Sequence, residues 1–199
     1  DGYNMAQFTL DDLKTLMARL RDPKDGCPWD LKQSFGSITK HTLEEVFEVI
    51  DAIENNDWTE LRDELGDLLF QIVFYAQLGA EQGEFDFSDV VDSITAKLLR
   101  RHPHVFPDGT LSSRRQEGAL SDDAIKAQWE QIKAAERVKK GNCEVFDDIP
   151  TALPALMRAE KLQKRVSLLG MDYAGAHAVL AAIKGEIQEL EIAIESADA

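Results

Sequence analysis

Basic residues are scarce in this chain: 22 Lys and Arg stand against 37 Asp and Glu over 199 residues, a formal net charge of -15. A protein that holds nucleic acid through bulk charge needs a broad basic surface to neutralise phosphates. This balance argues against such a polymer partner and leaves room only for a local basic patch. Cysteine is nearly absent. Cys27 and Cys143 alone make no disulfide framework, so a reducing, cytoplasmic compartment is the expectation. Long apolar runs are missing too. The longest uncharged one, Leu68 to Ala80, is shorter than the ~20 residues a membrane span needs and contains Gln71 and Gln77. The N-terminus lacks the basic-then-apolar form of a signal peptide. Strand signals are absent as well, with no sustained apolar/polar alternation and no Asn-Gly or Asp-Gly hairpin between β-branched runs. What remains, 44% hydrophobic and 30% charged residues, is the composition of an ordinary globular protein.

Helical signals fill the gap. Thr9 with Asp12 has capping-box form, and Leu10, Leu13, Leu16, Met17 and Leu20 follow at helical spacing. Pro23, Gly26 and Pro28 break that pattern and predict an ordered loop from Asp22 to Phe35 around Trp29. A second helix is predicted from Ser37 or Thr42 to Asn55, with Leu43, Val46, Phe47 and Ile50 as its apolar stripe. Asn56 or Asp57 caps a third, which runs to Gln82 with Gly83 as its stop; Ser88 opens a fourth that Pro103 ends. Further helices are expected over Asp122 to Lys140, Pro154 to Leu169 and Ala176 to Ser196, with turns at Gly141 and Gly170. The run Glu44-Glu45-Val46-Phe47-Glu48 is faintly echoed by Gly185-Glu186-Ile187-Gln188-Glu189.

On a helical wheel Glu44, Glu45, Glu48 and Asp51 occupy the arc opposite the apolar stripe. Taken alone, such an arc reads as a solvated face. The third helix changes its meaning. From Leu65 onward it is apolar around its circumference, the pattern of a helix buried on all sides, yet Glu64 and Asp67 sit at i and i+3 near its entrance. Carboxylates crowded beside buried surface repel one another and lose hydration, a cost of several kcal/mol, on the order of that for any buried unpaired charge, unless a cation compensates. Gly66 between them would allow a close approach. If the two helices pack antiparallel through Asn55 to Asp57, Glu45, Glu48, Glu64 and Asp67 come to similar heights above the turn and form an all-oxygen cage. Without Cys or His, such a cage suits Mg²⁺, or Mn²⁺ as a substitute, rather than Zn²⁺. A di-iron bundle requires Glu-x-x-His pairs, and none of the four histidines has a Glu three residues before it.

Lys97, Arg100 and Arg101 end the fourth helix, followed by His102 and His104. They complement the helix dipole or clamp phosphate oxygens. Trp29, in Cys27-Pro28-Trp29-Asp30, plugs a small core or stacks on a base; Trp129 and Lys133, four apart on a later helix, are equally two-sided. Neither cysteine has the context of a nucleophile.

Glu44-Glu45-x-x-Glu48 followed by Glu64-x-x-Asp67 resembles the metal-binding signature of the MazG family of nucleoside triphosphate pyrophosphohydrolases. The flanking blocks Gly26-Cys27-Pro28-Trp29-Asp30, Leu65-Gly66-Asp67-Leu68-Leu69-Phe70-Gln71 and Arg100-Arg101-His102-Pro103-His104-Val105-Phe106 resemble it too. So do Trp129-Glu130-Gln131-Ile132-Lys133, Asp147-Asp148-Ile149-Pro150 and Leu153-Pro154-Ala155-Leu156, so the resemblance covers nearly the whole chain.

It implies an all-α helical bundle of the NTP pyrophosphatase type, completed by homodimerisation, that uses Mg²⁺ to cleave NTPs or dNTPs to NMP and pyrophosphate. Carried over by position, it makes Glu45, Glu48, Glu64 and Asp67 the metal ligands and Glu44 an outer carboxylate or water-activating base. Lys97, Arg100, Arg101, Trp129 and Lys133 become nucleotide contacts, with Trp29 a further candidate. It also implies a first domain over residues 5–106, a loop and linker helix over 107–149, and an incomplete second domain over 150–199. Two positions depart from the pattern: Glu60 stands where active domains can carry Lys, and Gly185 replaces the first acid of the repeated motif. The competing expectation is a non-catalytic helical dimerisation or regulatory module with a vestigial acidic site.

Overall fold

The computed structural model describes residues 8–114, 118, 121–139 and 145–197; Met5, the turn expected at Gly141, and Cys143 lie outside them. The described residues are all-α. In chain order they form α1 (Leu10–Leu20), α2 (Thr39–Glu54), α3 (Trp58–Gln82), α4 (Phe87–Arg101), α5 (Asp122–Lys139), α6 (Ala155–Ser167) and α7 (Ala176–Ala197), with a 3₁₀ turn at Asp30–Lys32 inside the expected loop. The chain divides into two compact units, Asp1–Glu117 and Gly118–Ala199.

Local chemistry sets the helix ends. Thr9 and Asp12 close a capping box on α1, and Asp86 with Asp89 closes another on α4, one residue ahead of the expected start at Ser88. Asp57 caps α3 by accepting from the Thr59 and Glu60 amides, and Gly83 ends it in the left-handed region at φ 71. The α2 start lacks a side-chain cap: Ile38 stands at the N-cap and is 1% exposed, held by packing rather than by a hydrogen bond.

The core of the first unit gathers Met17 from α1, Ile38 from the α2 entrance and Val73, Phe74 and Leu78 from the second half of α3, with Leu13, Phe35, Phe70, Tyr75 and Phe87 around them. An ion pair between buried Arg21 and partly exposed Glu81 fastens it. Arg21 Nε and Nη2 donate to the two Glu81 oxygens at 2.7 and 2.6 Å, its guanidinium lies 5.3 Å from the Phe74 ring centre, and Nη1 donates to the Asp30 carbonyl. This staple joins the end of α1, the loop and the end of α3. Gly26 belongs to the same knot: a Cβ there would stand 2.5 Å from the Leu20 and Asp22 carbonyl oxygens.

The face of α2 that meets α3 is not its apolar stripe. Leu43, Val46, Phe47 and Ile50 are exposed, Phe47 at 56%, while the opposite side, with Ala52 buried and Thr42, Glu45 and Val49 half-buried, meets α3. Small side chains allow close helix approach, and α3 selects them over the bulkier stripe. The expectation that α3 is buried on all sides fails: Leu65, Leu69 and Ile72 are exposed, Leu65 at 49%, and the residues of α3 that the chain buries, from Gln71 to Gly79, all lie in its second half.

In the second unit, Ile149 is buried and Arg165 makes a two-pronged bond to Asp148 at 2.8 and 3.0 Å, with a further one to the Val145 carbonyl. That interaction ties α6 to the segment preceding it.

Candidate metal centre between α2 and α3

The two helices are joined by a tight connection in which Asn56 takes φ 55, a conformation Asn tolerates better than most residues. The Thr42 hydroxyl and the Tyr75 hydroxyl meet at 2.9 Å, fixing an antiparallel register. That register turns one stripe of α3, Glu64, Asp67, Gln71 and Tyr75 at i, i+3, i+7 and i+11, toward α2.

Glu45, Glu48 and Glu64 each present a carboxylate oxygen, and these oxygens lie within 4.8 Å of one another. The protonation behaviour of the group follows from this crowding. Burial, then the Asp67 and Glu48 charges, raises the Glu45 carboxyl above its ordinary value; burial, then Glu48, Glu60 and Asp67, raises Glu64. Asp67 therefore acts on both helices' acids although it stands outside the tight trio. Glu44 stands beside the trio, its Oε2 3.0 Å from His41 Nδ1, and its charge also bears on Glu45.

Gln71 supplies an independent sign. It is 7% exposed, and its Oε1 is buried with no hydrogen-bond partner among the described residues. An orphaned carbonyl of this kind costs about 1–3 kcal/mol. Asp67 one turn before it and Tyr75 one turn beyond it both face α2, so the orphan belongs to the acidic stripe. Mutually repelling carboxylates and an unsatisfied carbonyl form an all-oxygen donor set, which fits a hard divalent cation carrying water ligands.

The other expected residues are placed as follows. Trp29 is 52% exposed rather than plugged into a core, and its ring meets that of His41 edge-on at 6.0 Å, beside the acidic face of α2. Lys97, Arg100 and Arg101 end α4 in the first unit; the His102 and His104 rings that follow lie 5.6 Å apart. Trp129 and Lys133 belong to the second unit, where Lys133 Nζ sits 4.8 Å from the Trp129 ring centre and 2.5 Å from Glu130. Gly66 faces open space: a Cβ added there would meet nothing within 4 Å among the described residues. The neighbours not foreseen as part of the site are His41, Glu60 and Gln71. A polar residue inside an apolar run, seven positions after Glu64, is the signal that marks Gln71.

An all-α chain with clustered carboxylates between paired antiparallel helices has the make-up of an all-α nucleotide pyrophosphohydrolase, and comparison with known proteins agrees. The family described as MazG nucleotide pyrophosphohydrolase domain matches residues 33–106, which span α2, α3 and α4. The nucleoside triphosphate pyrophosphohydrolase of Escherichia coli (strain K12) is 50% identical over 181 residues, 91% of this chain and 66% of that protein. A Thermotoga maritima protein named nucleoside triphosphate pyrophosphohydrolase/pyrophosphatase MazG is 37% identical over 186 residues, 94% of this chain and 68% of that protein. The crystal structure of a mazG-related protein from Thermotoga maritima shares the fold, with a TM-score of 0.51 at 24% identity, over 63% of this chain and 99% of that one. The chain belongs to the MazG family of nucleotide pyrophosphohydrolases. It spans about two thirds of the length of these curated relatives.

Proposed function

We propose that the chain hydrolyses nucleoside triphosphates, ribo- or deoxyribo-, to the monophosphate and pyrophosphate, with Mg²⁺ at the α2/α3 carboxylates and a homodimer as the working form. The observation that carries this reading is the trio of Glu45, Glu48 and Glu64 oxygens within 4.8 Å. So crowded a set of acids repels a triphosphate unless a cation neutralises it.

Glu45, Glu48, Glu64 and Asp67 would hold the ion. Bound there, Mg²⁺ supplies positive charge to phosphate oxygens and lowers the pKa of water. The chain's own groups do the rest. Glu44, whose Oε2 is held 3.0 Å from His41 Nδ1, takes the proton of the attacking water. The water oxygen bonds to the α phosphorus as the bond to the bridging α–β oxygen breaks, and pyrophosphate leaves with that oxygen. Lys97, Arg100 and Arg101 hold phosphate oxygens, and the half-exposed Trp29 offers a stacking face for the base. A second copy covers the exposed stripe of Leu43, Phe47 and Ile50.

A chromatographic assay of NTPs and dNTPs with and without Mg²⁺ or Mn²⁺ tests the reading. Monophosphate and pyrophosphate are expected; diphosphate and orthophosphate overturn the cleavage site. Glu48→Gln and Asp67→Asn each lower kcat/KM by about 100-fold or more, and both side chains are exposed, so circular dichroism of each variant matches the parent. Absence of turnover, together with no Mg²⁺-dependent calorimetric binding of a non-hydrolysable NTP, would instead identify a non-catalytic helical module.

A further inference from the structure

The chain's charge is inverted locally in its second unit. A cavity of about 210 Å³ in the second unit is lined by Lys133 and Arg137 from α5 and by Lys161, Lys164 and Arg165 from α6, with Glu130 and Asp148 as its acids. Five cations against two anions leave an excess of three positive charges, in a protein whose net charge is -15.

The two acids are already engaged. Glu130 accepts from Lys133 at 2.5 Å, and Asp148 takes both prongs of Arg165. Their carboxyls accordingly sit below the ordinary value, through those hydrogen bonds first and through Arg137 and Lys164 among the further charges. Arg137, Lys161 and Lys164 are the cations in excess. The cationic wall extends along α6: Arg158, three residues before Lys161 and seven before Arg165, shares their stripe, and its Nε is buried without an acceptor among the described residues. Like charges collected around a concave space repel and destabilise one another unless an anion joins them. The space is too small for a folded acidic partner, and its cations converge from two helices rather than lying in a line along a polymer. Both features select a compact ion with several charges.

We propose that this α5/α6 cavity is a metal-independent site for a di- or triphosphate anion, held by Arg137, Lys161 and Lys164. Two sources share that chemistry: free inorganic pyrophosphate and the phosphate tail of a nucleoside triphosphate. The proposal stands apart from the carboxylate reading, because its residues all belong to the second unit and it requires no divalent ion.

Isothermal titration of the full chain with inorganic pyrophosphate, and separately with a non-hydrolysable NTP, in buffer containing EDTA tests it. Without metal the carboxylates repel phosphate, and the Arg137, Lys161 and Lys164 variants separate heat of the cavity from heat at Lys97, Arg100 and Arg101. Saturable binding is expected, weakened by about tenfold or more in Lys161→Gln/Lys164→Gln and in Arg137→Gln and unchanged in Glu48→Gln. Lys161 and Lys164 are exposed, so circular dichroism of the double variant is expected to match the parent. Binding of both compounds assigns the site to a nucleotide tail, and binding of pyrophosphate alone assigns it to the free diphosphate. No heat with either, equal heat in the double variant, or loss in Glu48→Gln without loss in the lysine pair overturns the proposal.

Discussion

Glu45 and Glu64 bear the cost of gathering the site. Burial and neighbouring acids oppose their ionisation, so the folded chain holds their protons more tightly than the unfolded chain does. For a carboxyl raised in this way the penalty is absent while the group is protonated. It grows as pH rises above the ordinary 4.5 and is complete above the raised value. A cation that pairs with the ionised trio removes this penalty. Mg²⁺ is therefore expected to raise the melting temperature little near pH 4.5 and by several degrees near neutrality, in melts run with and without the ion across that range. A gain that does not vary with pH would take these two residues out of the ion's reach. Glu45→Gln is expected to raise the metal-free melting temperature and to abolish most of the Mg²⁺ gain, the exchange of stability for function typical of a strained site. These acids were legible in the sequence because i, i+3 spacing on consecutive helices gives them one face each. Glu44's turn toward His41 was not legible, since a ring three residues away competes for that carboxylate only through side-chain geometry.

Between elements, short-range chemistry and long-range packing divide the work. Helix ends with a side-chain cap, at Thr9 and Asp57, or a left-handed glycine, at Gly83, lie where sequence places them, because the signal and the structure occupy the same few residues. The α2 start is the counter-example: Ser37 and Thr42 both look like caps, but the helix begins at Thr39 behind a buried Ile38. Its packing face is the one that brings the acids together: α3 meets the side carrying Thr42, Glu45, Val49 and Ala52 rather than the apolar stripe that a wheel ranks first. Arg21 and Glu81, 60 residues apart, have no local signature at all, although they join α1, the loop bearing Trp29 and α3. Glu81 is lowered chiefly by its hydrogen bond from Arg21. For a depressed carboxyl the stabilisation is full above the ordinary 4.5 and is lost as pH falls through the folded value. Glu81→Gln is expected to cost about 2–4 kcal/mol at neutral pH, since it strands a buried guanidinium beside a partner that is itself one third exposed. Urea denaturation should show that difference shrinking on the acid side of the pH range; a constant difference would mean the pair stabilises by packing rather than by charge.

For the molecule as a whole, the question is what covers α2 and α3. Leu43, Phe47 and Ile50 on one helix and Leu65, Leu69 and Ile72 on the other are exposed, and exposed apolar stripes of this kind mark surfaces that a partner covers. The pair is already antiparallel, so a two-fold copy of the same pair would close a four-helix arrangement and bury both stripes at once. Charge acts against this, because each copy brings a net -15 to the contact. Apolar burial must outweigh that repulsion, which makes the assembly sensitive to screening: higher salt is expected to tighten it. Light scattering on a sizing column should give twice the 22.3 kDa chain mass for the parent. Phe47→Glu/Ile50→Glu should elute at the single-chain mass with its helical signal intact, because in one chain neither side chain is needed to pack α2 on α3. A parent that runs as a single chain at micromolar concentration, or a doubly charged variant that keeps the doubled mass, would mean that these stripes are covered by something other than a second copy.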